Sequence, residues 1–174
     1  GLMTDSVLER IAGLDHVTRL SLGGSRELTD DGLLQLARMP QLERLELSEY
    51  PGGKLTDRGL EVLRHLPNLR MFEMTWQKGI SDAGVANLKY CDKLERVDLM
   101  GSSTGDGAID ALQGKPFLKS LRTGRLVTDE GLRLLANIPQ FKERQPDSQA
   151  GQVLIDGPFS DKGLANLIPL QGIV

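Results

Sequence analysis

The chain has 174 residues, 39% of them hydrophobic and 26% charged, which is a balance suited to one domain with its own core. Its net charge is −3 and its lysines and arginines are scattered, so it carries no electrostatic footprint for DNA or RNA, and its apolar runs are too short to span a bilayer. The single cysteine, Cys91, excludes internal disulfides, and residues 1–15 carry Asp5, Glu9 and Asp15 where a secretory signal has a continuous apolar core; a cytoplasmic setting is the expectation.

Read in chain order, one pattern recurs. MTDSVL at 3–8 is followed by LTDDGL at 28–33, LTDRGL at 55–60 and ISDAGV at 80–85, then by TGDGAI at 104–109, VTDEGL at 127–132 and FSDKGL at 159–164. The starts are 25, 27, 25, 24, 23 and 32 residues apart. Recurrence at such a period is the mark of a stacked-repeat protein. After each opening, apolar residues fall at helical spacing, as in Leu33, Leu36 and Met39, or Leu60, Leu63 and Leu66. Leu45-Glu46-Leu47, Phe72-Glu73-Met74 and Val97-Asp98-Leu99 then alternate as half-buried strands do. Each unit therefore reads as a short helix followed by a short strand. One unit cannot bury its apolar face alone, whereas stacked units can.

The L-x-x-L-x-L segments and the period resemble the leucine-rich repeat family. The (L/I)-(T/S)-D-x-G-L opening is most similar to its cysteine-containing subfamily and to related bacterial repeats, and Cys91-Asp92-Lys93-Leu94 matches that subfamily's C-x-x-L step. Leu14, Met39, Leu66 and Ile138 stand at the Cys91 position in other units. The resemblance implies an α/β solenoid over residues 1–174, with parallel strands on the concave face, helices on the convex face and about six to seven repeats. Ser25, Tyr50, Gln77 and Ser102 replace the family's Asn or Cys after the strand, so the buried side-chain ladder there is expected to be broken or rebuilt.

A Thr or Ser ahead of a helix caps it by accepting from a free backbone N–H, and an Asp in the first turn meets the positive end of the helix dipole. Asp5, Asp30, Asp57, Asp82, Asp106, Asp129 and Asp161 form a complete column; the small-residue column reads Val7, Gly32, Gly59, Gly84, Ala108, Gly131 and Gly163. A residue type that recurs with the fold period belongs to the fold, so these aspartates are read as scaffold. Catalytic candidates are few. His16 and His65 fall on different repeats, and Cys91 falls in an apolar column, where a buried, inert thiol is expected. The Gly-rich stretches SLGGS and YPGG lack the spacing of a phosphate loop and read as turns. No catalytic, cofactor or metal site is expected.

Binding is the stronger reading. The strand register places three columns on the concave face: Arg19, Arg44, Met71, Arg96 and Ser120; then Ser21, Glu46, Glu73, Asp98 and Arg122; then Gly23, Ser48, Thr75, Met100 and Gly124. Glu46, Glu73 and Asp98 should lie side by side, either neutralised by Arg44 and Arg96 or presented as an acidic row to a basic or polar partner. Trp76, the only tryptophan, follows the third strand near Met71 and Met100, as a contact anchor or as filling between loops. The polar stretch around 143–152 reads as an inserted loop and a secondary contact candidate, with the strand displaced to about 153–155. The expected function is non-catalytic recognition of a protein partner. The alternatives are an assembly array that self-associates through its ends and, from the resemblance alone, the substrate-receptor part of a ubiquitin-ligase-type complex.

Overall fold

The computed structural model describes residues 3–48, 53–142 and 151–172. Six three-residue strands form one parallel sheet in sequence order: β1 (Arg19–Ser21), β2 (Arg44–Glu46), β3 (Met71–Glu73), β4 (Arg96–Asp98), β5 (Ser120–Arg122) and β6 (Gln152–Leu154). Helical segments alternate with them: α1 (Asp5–Ile11), α2 (Asp30–Leu34), α3 (Asp82–Val85), α4 (Asp106–Asp110), α5 (Asp129–Leu135), α6 (Pro139–Lys142) and α7 (Asp161–Leu164). The fold is an α/β leucine-rich-repeat arrangement, strands on the concave side and helices on the convex. Strand β6 begins one residue earlier than expected. Most of the expected insertion, and Tyr50, lie outside the described residues.

The helical side departs from the expectation in one respect. Gly59–His65 is entirely 3₁₀, and Gln35–Arg38, Ala86–Tyr90 and Ala165–Leu167 continue as 3₁₀ turns. The i to i+3 bonds run from Gly59 N–H to Thr56 O (3.1 Å), Leu60 N–H to Asp57 O (3.2 Å) and Glu61 N–H to Arg58 O (3.1 Å). The reason is in the spacing. Leu60, Leu63 and Leu66 are three apart each time, and a 3₁₀ helix has three residues per turn, so all three face inward. They are fully buried, as are Leu33, Leu36 and Met39 and the set Val85, Leu88 and Cys91. Opposite them the strands contribute Leu45, Phe72, Val97 and Leu121, closing a continuous core between helices and sheet.

The Thr-Asp-x-Gly opening joins neighbouring repeats. Each aspartate from Asp5 to Asp129 accepts bonds from the start of the next unit. Asp5 takes Thr29 N–H (2.9 Å) and Oγ1 (2.6 Å); Asp30 takes Thr56 N–H (2.8 Å) and Oγ1 (2.5 Å). Asp57 with Ser81, Asp106 with Thr128 and Asp129 with Ser160 repeat this. At the fourth step Gly105 replaces the hydroxyl residue, and Asp82 accepts three backbone N–H groups, from Gly105, Gly107 and Ala108. The recurring glycine makes room for the carboxylate of the preceding repeat. A Cβ on Gly59 would stand 2.6 Å from Asp30 Oδ1, and one on Gly84 would stand 2.5 Å from Asp57 Oδ1. Capping by the hydroxyl is secondary: Ser81, Thr128 and Ser160 accept at 3.2–3.3 Å from the N–H of Ala83, Glu130 and Gly163, while Thr29 makes no such bond.

Candidate functional site

The sheet register fixes which side chains share its open face. One row is Arg19, Arg44, Met71, Arg96, Ser120 and Gln152; the next is Ser21, Glu46, Glu73, Asp98, Arg122 and Leu154. One residue earlier along each chain segment stand Glu43, Arg70, Glu95 and Lys119, a row that alternates in sign. Neighbouring strands lie about 4.8 Å apart, so side chains within a row are in direct reach of one another.

The acidic row is present in register, and two of its three carboxylates, Glu73 and Asp98, are paired with arginines. Glu46 accepts Ser21 Oγ at 2.8 Å. Glu73 lies 3.2 Å from Arg44 Nη2 and 4.0 Å from Arg96 Nε. Asp98, expected to be exposed, is buried: it accepts Met100 N–H at 3.1 Å and pairs with Arg122 Nη1 at 3.3 Å. In each ion pair the cation is the outer member. The Arg44 and Arg96 side chains are 40% and 38% exposed against 18% for Glu73, and Arg122 is 37% exposed against 7% for Asp98. The long guanidinium stems lie over the short carboxylates. Arg19 is exposed and makes no ion pair among the described residues.

At the strand starts, Arg19, Glu43, Arg44, Arg70, Met71 and Glu95 line an open cavity of about 270 Å³. Arg70 closes one wall by bonding Glu95 through Nε (2.9 Å) and Nη2. Arg70, Glu43 and Glu95 were not singled out from the sequence, although their alternating signs recur with the repeat. Met71 belongs to this cavity, at the opposite end of β3 from Trp76.

Trp76 is the one non-glycine among the described residues with positive φ, at 63°. Its N–H donates to Met100 O at 2.8 Å, and its ring lies on Gly101, where a Cβ would come within 2.6 Å of Cδ2. It is 53% exposed, and Met100 beside it is also exposed. One ring face of Trp76 packs on the next loop, as expected of a filler, and the rest is open to solvent.

The buried ladder after the strands is rebuilt piecemeal. Gln77 reaches back to Leu47 O through Nε2 (2.7 Å), and Ser102 Oγ donates to Leu99 O (2.7 Å). His16 and His65 are exposed on different repeats, and Cys91 Sγ is buried against Leu63 O at 3.4 Å. Burial pushes the Cys91 thiol up to about 12, with Lys115 acting in the opposite sense. Lys115 occupies the Cys91 position of its own unit, which sequence reading overlooked. It is buried, and its amine donates to Lys89 O (2.7 Å) and to Asp92 Oδ1 (2.8 Å). No cluster of three or more metal-ligating side chains occurs among the described residues, and no helix there is long and apolar enough to cross a membrane.

No protein-family model matches the chain, and no curated protein matches it. Among solved structures it is similar to a chain in the crystal structure of the Rad7 and Elc1 complex in yeast, with 19% identity and a TM-score of 0.65. The match covers 97% of this chain and 42% of that one, so this chain spans less than half of its neighbour's length. The likeness carries the fold.

Proposed function

We propose that this protein is a non-catalytic recognition module that binds another protein across its concave sheet and the loops that follow the strands. The observation that carries this reading is the contrast between the two sides of each strand. The inward positions repeat as Leu45, Phe72, Val97 and Leu121, whereas the outward ones change from arginine to methionine to serine along a row. A scaffold alone needs only the first, whereas varied side chains on one shared face suit selective contact. Trp76 supports the reading, because a half-exposed aromatic held at positive φ costs stability that packing alone recovers poorly. The yeast neighbour was itself solved as a complex of two proteins, which agrees with the reading through fold analogy.

Hydrogen exchange on the complex with a captured partner tests it. Protection is expected in Ser48, Thr75 and Met100 and in the strand segments before them. Protection confined to the helical side would remove the proposal.

A further inference from the structure

The partner chemistry follows from which charges the concave face leaves accessible, and this step rests on the recognition reading above. The acidic row suggests a basic partner only while its carboxylates are exposed. Here Glu73 and Asp98 lie beneath the arginines that pair with them, and Glu46 alone pairs with no cation among the described residues. Glu73 and Asp98 are the inner members of every described ion pair on the two strand rows. The accessible layer is Arg19, Arg44, Arg96 and Arg122, against Glu46, which is held by Ser21. Arg19 and Arg44 are direct neighbours in the register, and like charges so placed repel each other. Arg44 is engaged by Glu73 and Arg70 by Glu95, which leaves Arg19 as the guanidinium at the cavity with no ion pair among the described residues. Glu43 and Glu95 line the same cavity, and Glu95 is held by Arg70, so an entering carboxylate meets Arg19 and Arg44 beside Glu43. A guanidinium fork matches a carboxylate in a two-point contact, and Met71 offers an apolar floor next to it.

We infer that the partner presents an acidic segment, with a carboxylate side chain seated on Arg19 and Arg44 at the strand starts and a neighbouring apolar residue on Met71. A protein segment fits better than a nucleic acid. Met71 and Ser120 interrupt the guanidiniums along the row, which therefore form no continuous basic track, and the chain as a whole is acidic.

The test uses fluorescence anisotropy with three labelled probes: a serine–leucine peptide carrying glutamates, its twin carrying lysines, and a short oligothymidylate. The glutamate peptide should bind the wild type, and the lysine twin roughly ten-fold more weakly or not at all. Arg19→Glu, at an exposed position, should weaken the glutamate peptide by roughly ten-fold while leaving the melting temperature unchanged. Arg38→Glu, the same charge change on the helical side, should leave binding as it was. Absence of glutamate-peptide binding, tighter binding of the lysine twin or the oligothymidylate, or an equal effect of Arg38→Glu would overturn the inference. The two readings separate at Thr75→Trp, a steric block just after β3 on the loop side of the face. Lysine-peptide binding that Thr75→Trp abolishes keeps concave recognition and removes the acidic partner; binding of every probe untouched by both Thr75→Trp and Arg19→Glu removes both.

Discussion

Asp57 accepts two hydrogen bonds from Ser81 of the following repeat, one from its N–H and one from its hydroxyl, each 2.7 Å long. This bond pair, recurring along the chain, is what the Thr-Asp-x-Gly opening encodes. Asp57→Ala should therefore cost about 2–3 kcal/mol, because it strips a charged acceptor from two donors at once. Gly84→Ala should cost about 1–3 kcal/mol despite the better helix propensity of alanine, since its Cβ would press on Asp57. Denaturant unfolding of the two single variants and the double variant checks this. In the double variant the losses should be less than additive, because the closest contact goes with the carboxylate, leaving the Asp57 Cα and Ile80 at 3.0 and 3.1 Å.

Acid should loosen the last repeat junction. The backbone N–H and hydroxyl of Ser160 hold the Asp129 carboxyl below its usual range. A lowered folded-state value means the stabilisation is complete above the unfolded aspartate value of about 3.9 and shrinks as pH falls below it. It is gone once pH drops past the folded value. Asp129→Asn should be less stable at neutral pH and should show a shallower loss of stability between neutral pH and the acid limb, measured by urea unfolding across pH.

Lys115 and Cys91 give a paired prediction about the core column they share. Lys115→Met should stay within about 1.5 kcal/mol of wild type, because an apolar chain of similar length fills the buried lysine's place and Asp92 is left in solvent, whereas Lys115→Ala should cost about 2–4 kcal/mol through the cavity it leaves. Cys91, with its thiol raised to about 12 by burial, should resist a thiol reagent at pH 8 in the folded protein and react promptly in denaturant. Prompt labelling under native conditions would contradict the packing described.

At Trp76 backbone and side chain pull in opposite directions. Glycine tolerates positive φ, while alanine keeps the penalty of about 1–2 kcal/mol. Trp76→Gly should consequently melt at or above Trp76→Ala, and both should weaken partner binding if the exposed part of the ring is a contact. Thermal melts with parallel affinity measurements separate these two effects.

Much of the fold was legible in the sequence because a repeat multiplies weak signals. The alternation at Leu45-Glu46-Leu47 alone is ambiguous; its recurrence fixed the strands and their register. The 3₁₀ geometry was written in the uniform spacing of Leu60, Leu63 and Leu66, but that spacing also fits one face of an α-helix. The role of Asp57 was half legible. Its recurrence marked it as scaffold, yet the local spacing is equally compatible with action on its own helix, and only stacking places it against Ser81. The glycine column held the missing signal, since a small residue is needed where a neighbouring carboxylate intrudes. Asp98 was misjudged for a similar reason: alternation predicts which way a side chain points, not that Arg122 will cover it.

The most direct measurement of the central claim is the affinity of a captured partner for Thr75→Trp beside Arg38→Glu, both shown by melting to be folded. Concave recognition predicts a loss of roughly ten-fold or more for Thr75→Trp and no change for Arg38→Glu. Full affinity in Thr75→Trp, or a comparable loss in Arg38→Glu, would contradict it.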